Sequence, residues 1–185
     1  MIVVVMGFSG SGKSFIASIL HQDFGFEWIR SDVIRKELAG LKQEERVRVG
    51  FGESIYSEEW TKRVYQEMIE RAKKAHAAGK DVVLDATFLK KWQRKMVEEY
   101  FDKVLFLMAE AQEEEIERRL HSREDISDAD FSVYLKQKEI FEPPEKALII
   151  NTQRSKEEIK AELQKVLGIP SASDSQEPCQ DLLRP

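Results

Sequence analysis

Eight consecutive residues near the start of the chain, Gly7-Phe8-Ser9-Gly10-Ser11-Gly12-Lys13-Ser14, carry the spacing G-x-x-x-x-G-K-[ST]. Glycines at these positions let successive backbone N–H groups turn inward around a phosphate. The lysine reaches β- and γ-oxygens, and the serine hydroxyl that follows is suited to ligate Mg²⁺. Expected phosphate contacts therefore fall on Gly7, Ser9, Gly10, Ser11, Gly12, Lys13, Ser14 and Phe15, with Ser14 also a metal ligand. The surroundings fit. Met1 to Met6 form a β-branched apolar run, and Phe15, Ile16, Ile19 and Leu20 recur at helical spacing after the loop. A helix starting there aims its positive end at the anion. The chemistry expected is capture of a nucleoside triphosphate.

Further reactive residues follow apolar runs. Ser31-Asp32-Val33-Ile34-Arg35 comes after Phe26–Ile29. In a parallel α/β sheet the carboxyl ends of the strands line the ligand crevice, so Asp32 falls near the γ-phosphate. A carboxylate there can take a proton from an attacking hydroxyl. Arg35, one helical turn later, shares that face and suits an anionic group on the acceptor. The same residues also suit a helix start, with Ser31 as cap and Asp32 as a first-turn charge. Asp85 closes the run Val82–Asp85 and can hold Mg²⁺ directly or through water. Arg118, Arg119 and Arg123 precede the polar stretch Glu124–Asp130. Arg119 and Arg123 share a helix face, as cations on a closing lid would, although pairing with Glu115 also suits them. Lys90, Lys91, Arg94 and Lys95 form a basic cluster that suits either an acceptor groove or a solvated helix face. Asn151-Thr152-Gln153-Arg154 can border the base of a nucleotide.

These residues need a scaffold of alternating strands and helices. Apolar runs at Ile2–Met6, Phe26–Ile29, Val82–Asp85, Val104–Met108 and Ala147–Ile150 predict a five-stranded, doubly wound parallel sheet. Helical periodicity covers Lys13–Gln22, Asp32–Ala39, Ser57–Ala78, Leu89–Tyr100, Gln112–Ser122, Asp128–Ile140 and Ser155–Leu167. In the third of these, Trp60, Val64, Met68, Ala72 and Ala75 form the expected buried stripe. The fold class is α/β, with one domain over residues 1–168, a lid at about 118–131, and a flexible tail from 169 to 185 rich in Ser, Pro and Asp.

Composition narrows the partners. The chain has 185 residues, 42 % hydrophobic and 34 % charged, with a net charge of −5. That acidity disfavours a large nucleic-acid footprint, although a local basic groove can coexist with it. No apolar run approaches the roughly 20 residues of a membrane span, and the first strand lacks the basic flank of a signal peptide. The single Cys179 excludes an internal disulfide framework and, with the rest, points to the cytoplasm. His21, His76 and His121 lack metal-site spacing.

Over Met1 to Leu167 the chain resembles the P-loop kinases of the polynucleotide-kinase and zeta-toxin-like group. The likeness rests on GFSGSGKS, Ser31-Asp32-x-x-Arg35, Val83-Leu84-Asp85-Ala86-Thr87 and the Arg119/Arg123 pattern. It implies the P-loop kinase fold, ATP with Mg²⁺, Asp32 as general base and Arg35 on the acceptor phosphate. Where that group carries D-A-T-N, this chain has Phe88 in place of Asn. The stretch from Ile55 to Lys95 also resembles ATP-binding kinase-like domains found alone or fused to aminoglycoside-phosphotransferase-like domains. Leu89-Lys90-Lys91 and Phe141-Glu142-Pro143-Pro144 resemble gluconate kinase. The resulting expectation is phosphorylation of a hydroxyl by ATP, with catalytic Lys13, Asp32, Arg35, Arg119 and Arg123, and Arg119 also on the nucleotide. A polynucleotide 5′-OH is the acceptor favoured, helped by basic residues such as Arg46, Arg48 and Lys90–Lys95. The alternatives are a small-metabolite kinase and an ATP-dependent binding module with little transfer.

Overall fold

The computed structural model describes residues 1–45, 52, 54–122 and 129–170. Five strands form one sheet: β1 (Ile2–Met6), β2 (Glu27–Arg30), β3 (Val82–Asp85), β4 (Val104–Glu110) and β5 (Leu148–Asn151). Their order is β2-β3-β1-β4-β5 and every pairing is parallel. β1 is central and buried throughout, which is why it is a continuous apolar run rather than an alternating one. Crossovers are supplied by α1 (Lys13–Phe24), α2 (Ser31–Leu38), α3 (Glu58–Ala77), α4 (Lys91–Tyr100), α5 (Glu113–Ser122) and α6 (Ala129–Ile140). No helix among the described residues is long and apolar enough to cross a membrane.

The chain divides into two compact units, Met1–Gln153 and Arg154–Pro185. Within the first, Ile2, Val4 and Met6 of β1 share a core with Val64 and Met68 of α3 and Val97 of α4. Strand alternation turns Val3 and Val5 to the opposite face, where they are also fully buried. The second unit contains α7 (Lys156–Leu167), started by a reciprocal cap between Ser155 and Glu158 and ended by left-handed Gly168.

Several boundaries depart from periodicity. Trp60 stands outside the buried stripe of α3; its half-buried ring lies under the Arg63 guanidinium at 4.7 Å. Phe15 likewise is exposed, unlike Ile16, Ile19 and Leu20. α4 begins at Lys91 rather than Leu89, because Lys90 is extended, at φ −102° and ψ 146°, and serves as the cap; two residues earlier Phe88 takes a left-handed φ of 47°. Burial holds Phe88 there: it is fully enclosed, meets Tyr65 edge-on at 5.0 Å, and donates its N–H to the Tyr65 hydroxyl at 3.0 Å.

Candidate functional site

The register brings the ends of three strands together. β3 lies between β2 and β1, so Asp85 pairs with Arg30 on one side and Val5 on the other. At this edge opens a cleft of about 1220 Å³, walled by the Gly7–Ser14 loop, the start of α2, the end of β3 and parts of α3, α5 and α6. Ser9, Gly10, Gly12, Lys13, Ser14 and Phe15 line it. Gly7 and Ser11 do not: Ser11 is buried, and a Cβ on Gly7 would meet the Ser11 Oγ at 2.7 Å. They shape the loop from behind.

Lys13 Nζ donates to the Phe8 carbonyl at 2.9 Å across the loop. The Ser14 hydroxyl donates to Asp85 Oδ2 at 3.0 Å, which joins the two residues expected to share a metal. Trp28 Nε1 donates to the same oxygen at 3.1 Å, and Arg30 Nε stands 3.7 Å from it. Burial raises the Asp85 pKa, while the Lys13 charge and the Ser14 hydrogen bond work against that rise. A hydroxyl and a carboxylate side by side are hard oxygen donors of the kind Mg²⁺ takes with phosphate oxygens and water. Ser14 and Asp85 are therefore the side chains that could hold it.

Across the cleft, α2 carries Asp32 in its first turn, exposed, and Arg35 one turn on, buried. Arg35 Nη1 donates to the Ile55 carbonyl at 2.5 Å and to Thr61 Oγ1 at 3.3 Å, and its guanidinium lies 5.0 Å over the Tyr56 ring. Those partners are uncharged, and Nε has none among the described residues. Burial lowers the Arg35 pKa, opposed first by the Asp32 charge. Tyr65 and Trp92 complete this half of the cleft. Burial pushes the Tyr65 hydroxyl up to about 12, so it stays protonated. Trp92 Nε1 is a second buried donor without a partner among the described residues.

Arg119 closes the opposite end. Its Nε donates to Glu115 at 2.8 Å, Nη1 to the Gly10 carbonyl at 3.2 Å and Thr152 Oγ1 at 2.9 Å, and Nη2 to the Thr152 carbonyl at 2.9 Å. Arg118 also grips Glu115, and the two arginines hold that carboxyl at about 2, with Arg118 the larger influence. Thr152 in turn donates to the Ser11 carbonyl at 2.6 Å. Gly12 leaves the room for it: with φ at 97°, a Cβ on Gly12 would sit 2.8 Å from the Thr152 Cβ. Arg119 is thus a strut between α5, the phosphate loop and the end of β5. Arg123 lies outside the described residues, as do Arg46 and Arg48.

The basic cluster does not act as one surface. Arg94 is buried and spends its guanidinium on the carbonyls of Phe88 and Glu142, while Lys91 pairs with Glu145. Lys90 alone of the four lines the cleft. Residues that sequence patterns passed over are Trp28 and Arg30 beside Asp85, Tyr56 and Thr61 beside Arg35, and Gln137 of α6. Gln137 accepts the Ser9 N–H at 2.8 Å and donates to Ser9 Oγ at 3.0 Å. For Arg30 a signal existed, since it directly follows Phe26–Ile29, a strand predicted to reach the crevice. For Gln137 none did, because its partner is 128 residues away.

A family model described as an AAA domain matches residues 2–144. The chain belongs to that AAA domain family. No curated protein matches it. Among solved structures, a sugar kinase from Janibacter sp. HTCC2649 is similar, with 23 % identity, 91 % of this chain and 94 % of that chain covered, and a TM-score of 0.68. A gluconokinase from Sinorhizobium meliloti 1021 shares 21 % identity over 94 % and 97 %, with a TM-score of 0.58. The Mycobacterium tuberculosis APS kinase, in complex with AMPPNP and APS, shares 18 % over 90 % and 96 %, with a TM-score of 0.64. The fold of this AAA domain is thus the P-loop kinase fold, as its five parallel strands and phosphate loop predict.

Proposed function

We propose that the protein transfers the γ-phosphoryl group of ATP to a hydroxyl on a small anionic acceptor. The observation that carries this reading is the convergence of Asp32 and Arg35 with Lys13, Ser14 and Asp85 on one cleft. A plain triphosphate holder needs only the last three. The neighbour that holds AMPPNP supports ATP as donor.

In the proposed reaction Lys13 and the loop amides offset the charge of the β- and γ-phosphates. Ser14 and Asp85 would hold Mg²⁺, which when bound would supply further positive charge against the phosphates. Asp32 accepts the proton of the attacking hydroxyl as its oxygen bonds to the γ-phosphorus. The bond from that phosphorus to the β–γ bridging oxygen breaks, and ADP leaves. Arg119 holds the loop and the nucleotide end of the cleft, and Arg123 is its proposed partner on the lid. The kinase domain is taken as residues 1–168, with the lid at about 118–131 and a tail at 169–185.

Arg35 supports an anionic acceptor. A guanidinium buried among neutral oxygens has paid a desolvation cost that an anionic ligand offsets. A wall of Tyr56, Tyr65 and Trp92 around it suits a small molecule. The sugar kinase and gluconokinase neighbours favour the same class. The polynucleotide acceptor draws less support, because Arg94 and Lys91, counted toward a basic groove, are occupied within the fold. The test is transfer of labelled γ-phosphate to a panel of hydroxy acids, sugar phosphates, neutral sugars and 5′-OH oligonucleotides. Labelling of acidic small molecules is expected. Release of inorganic phosphate alone, across the whole panel, would overturn the kinase reading in favour of a nucleotide-dependent binding module.

A further inference from the structure

The contact between Gln137 and Ser9 joins α6 to the phosphate loop through both atoms of one carboxamide. Gln137 is buried. The contact sits beside an aromatic cluster in which Phe8 of the same loop meets Tyr134 at 5.7 Å and Phe141 at 5.0 Å. Phe8 and Ile116, Leu120 and Tyr134 of the two helices share one small core. α6 is therefore seated on the loop, and Gln137 is the polar element of that seat.

The orientation of the amide follows from the chemistry of its partners. A backbone N–H can only donate, so the Gln137 oxygen must face the Ser9 nitrogen. The Gln137 nitrogen then faces Ser9 Oγ and can only donate to it. Ser9 Oγ must accept, and its single proton stays available for another acceptor. Ser9 lines the cleft beside Lys13 and Ser14. We infer that Gln137 is a positioning residue that orients the Ser9 hydroxyl to donate its proton to a γ-phosphoryl oxygen. Ser9 and Gln137 together then discriminate a nucleoside triphosphate from a diphosphate. This rests on the reading above that the loop binds ATP; what it adds is a hydroxyl donor and the helix residue that aims it.

Calorimetric titration of the full chain with Mg-ATP and with Mg-ADP tests it on wild type, Ser9→Ala, Gln137→Ala, Gln137→Glu and the double alanine variant. A hydrogen bond to a charged oxygen predicts that Ser9→Ala weakens ATP about tenfold and ADP by less than about twofold. Gln137→Ala should weaken ATP by a similar factor. The double variant should be no worse than about twofold beyond either single one, because both remove the same interaction. Gln137→Glu separates aiming from packing. Its second oxygen would accept the Ser9 proton and add a negative charge beside the phosphates, so it should weaken ATP more than alanine does. Thermal melting of each unliganded variant reports folding, and Ser9→Ala carries the test if a Gln137 variant unfolds. Equal losses for ATP and ADP, or additive losses in the double variant, overturn the inference while leaving the ATP reading intact. A wild-type chain that binds neither nucleotide overturns both.

Discussion

Replacing Thr152 with Val keeps the shape of the side chain and deletes one hydroxyl. That hydroxyl donates to the Ser11 carbonyl at 2.6 Å and accepts from Arg119 Nη1 at 2.9 Å. Its loss leaves a buried loop carbonyl unpaired, a penalty of about 1–3 kcal/mol. It also removes one of the four hydrogen bonds that fix Arg119 among the described residues, the others going to Glu115, Gly10 and the Thr152 carbonyl. Because three persist, Arg119 loosens rather than swings free, and this adds about 1 kcal/mol. Thr152→Val should therefore destabilise the fold by about 2–4 kcal/mol in urea or guanidinium unfolding. ATP affinity should fall about threefold to tenfold as the loop relaxes. Thr152→Ser is the control: it keeps the hydroxyl, loses the methyl that fills the space left by Gly12, and should cost only about 1 kcal/mol. If Thr152→Val lies within about 0.5 kcal/mol of wild type, or Thr152→Ser is as damaging, the hydroxyl is not the tie between Arg119 and the loop.

Three further outcomes are expected. Asp32→Ala should lower phosphoryl transfer about 10²–10⁴-fold, with the ATP dissociation constant unchanged within about twofold; unaltered turnover on an identified acceptor would refute Asp32 as the base. Asp85→Asn should abolish Mg²⁺-dependent transfer yet raise the melting temperature of the unliganded protein by about 2–4 °C, since it removes a buried charge. The sign follows from the raised pKa of Asp85: between its unfolded and folded values the native state holds the extra proton, so this group's contribution to stability falls as pH rises through that window. A stability–pH curve that Asp85→Asn leaves unchanged over that range would count against it. Phe88→Asn should relieve about 1–2 kcal/mol of left-handed backbone cost but lose about 3–5 kcal/mol of aromatic burial. The net is destabilisation by about 1–4 kcal/mol, and a stabilised variant in the same unfolding assay would show that the backbone cost dominates.

The amino-acid order alone determined what is local in this protein. A G-x-x-x-x-G-K-S between an apolar run and a helical pattern specifies the phosphate loop, because a handful of adjacent backbone dihedrals and the helix start build it. Asp32, Arg35 and Asp85 were legible because each follows an apolar run, and parallel strands deliver their carboxyl ends to one edge. The start of α4 was not, since Lys90 caps it in an extended conformation that the helical spacing from Leu89 onward does not announce. Periodicity also assigned Trp60 to the core, although position on a helix face does not say how far the neighbouring layer extends. What only the tertiary structure decided is which distant groups meet. Arg119 reaches Gly10 across 109 residues, Gln137 reaches Ser9 across 128, and Thr152 reaches Ser11 across 141. Arg94 is likewise drawn from a basic surface, in part by the Glu142 carbonyl 48 residues away. Such contacts depend on strand order and helix seating, and side-chain type cannot encode a partner that the sheet has yet to bring within reach.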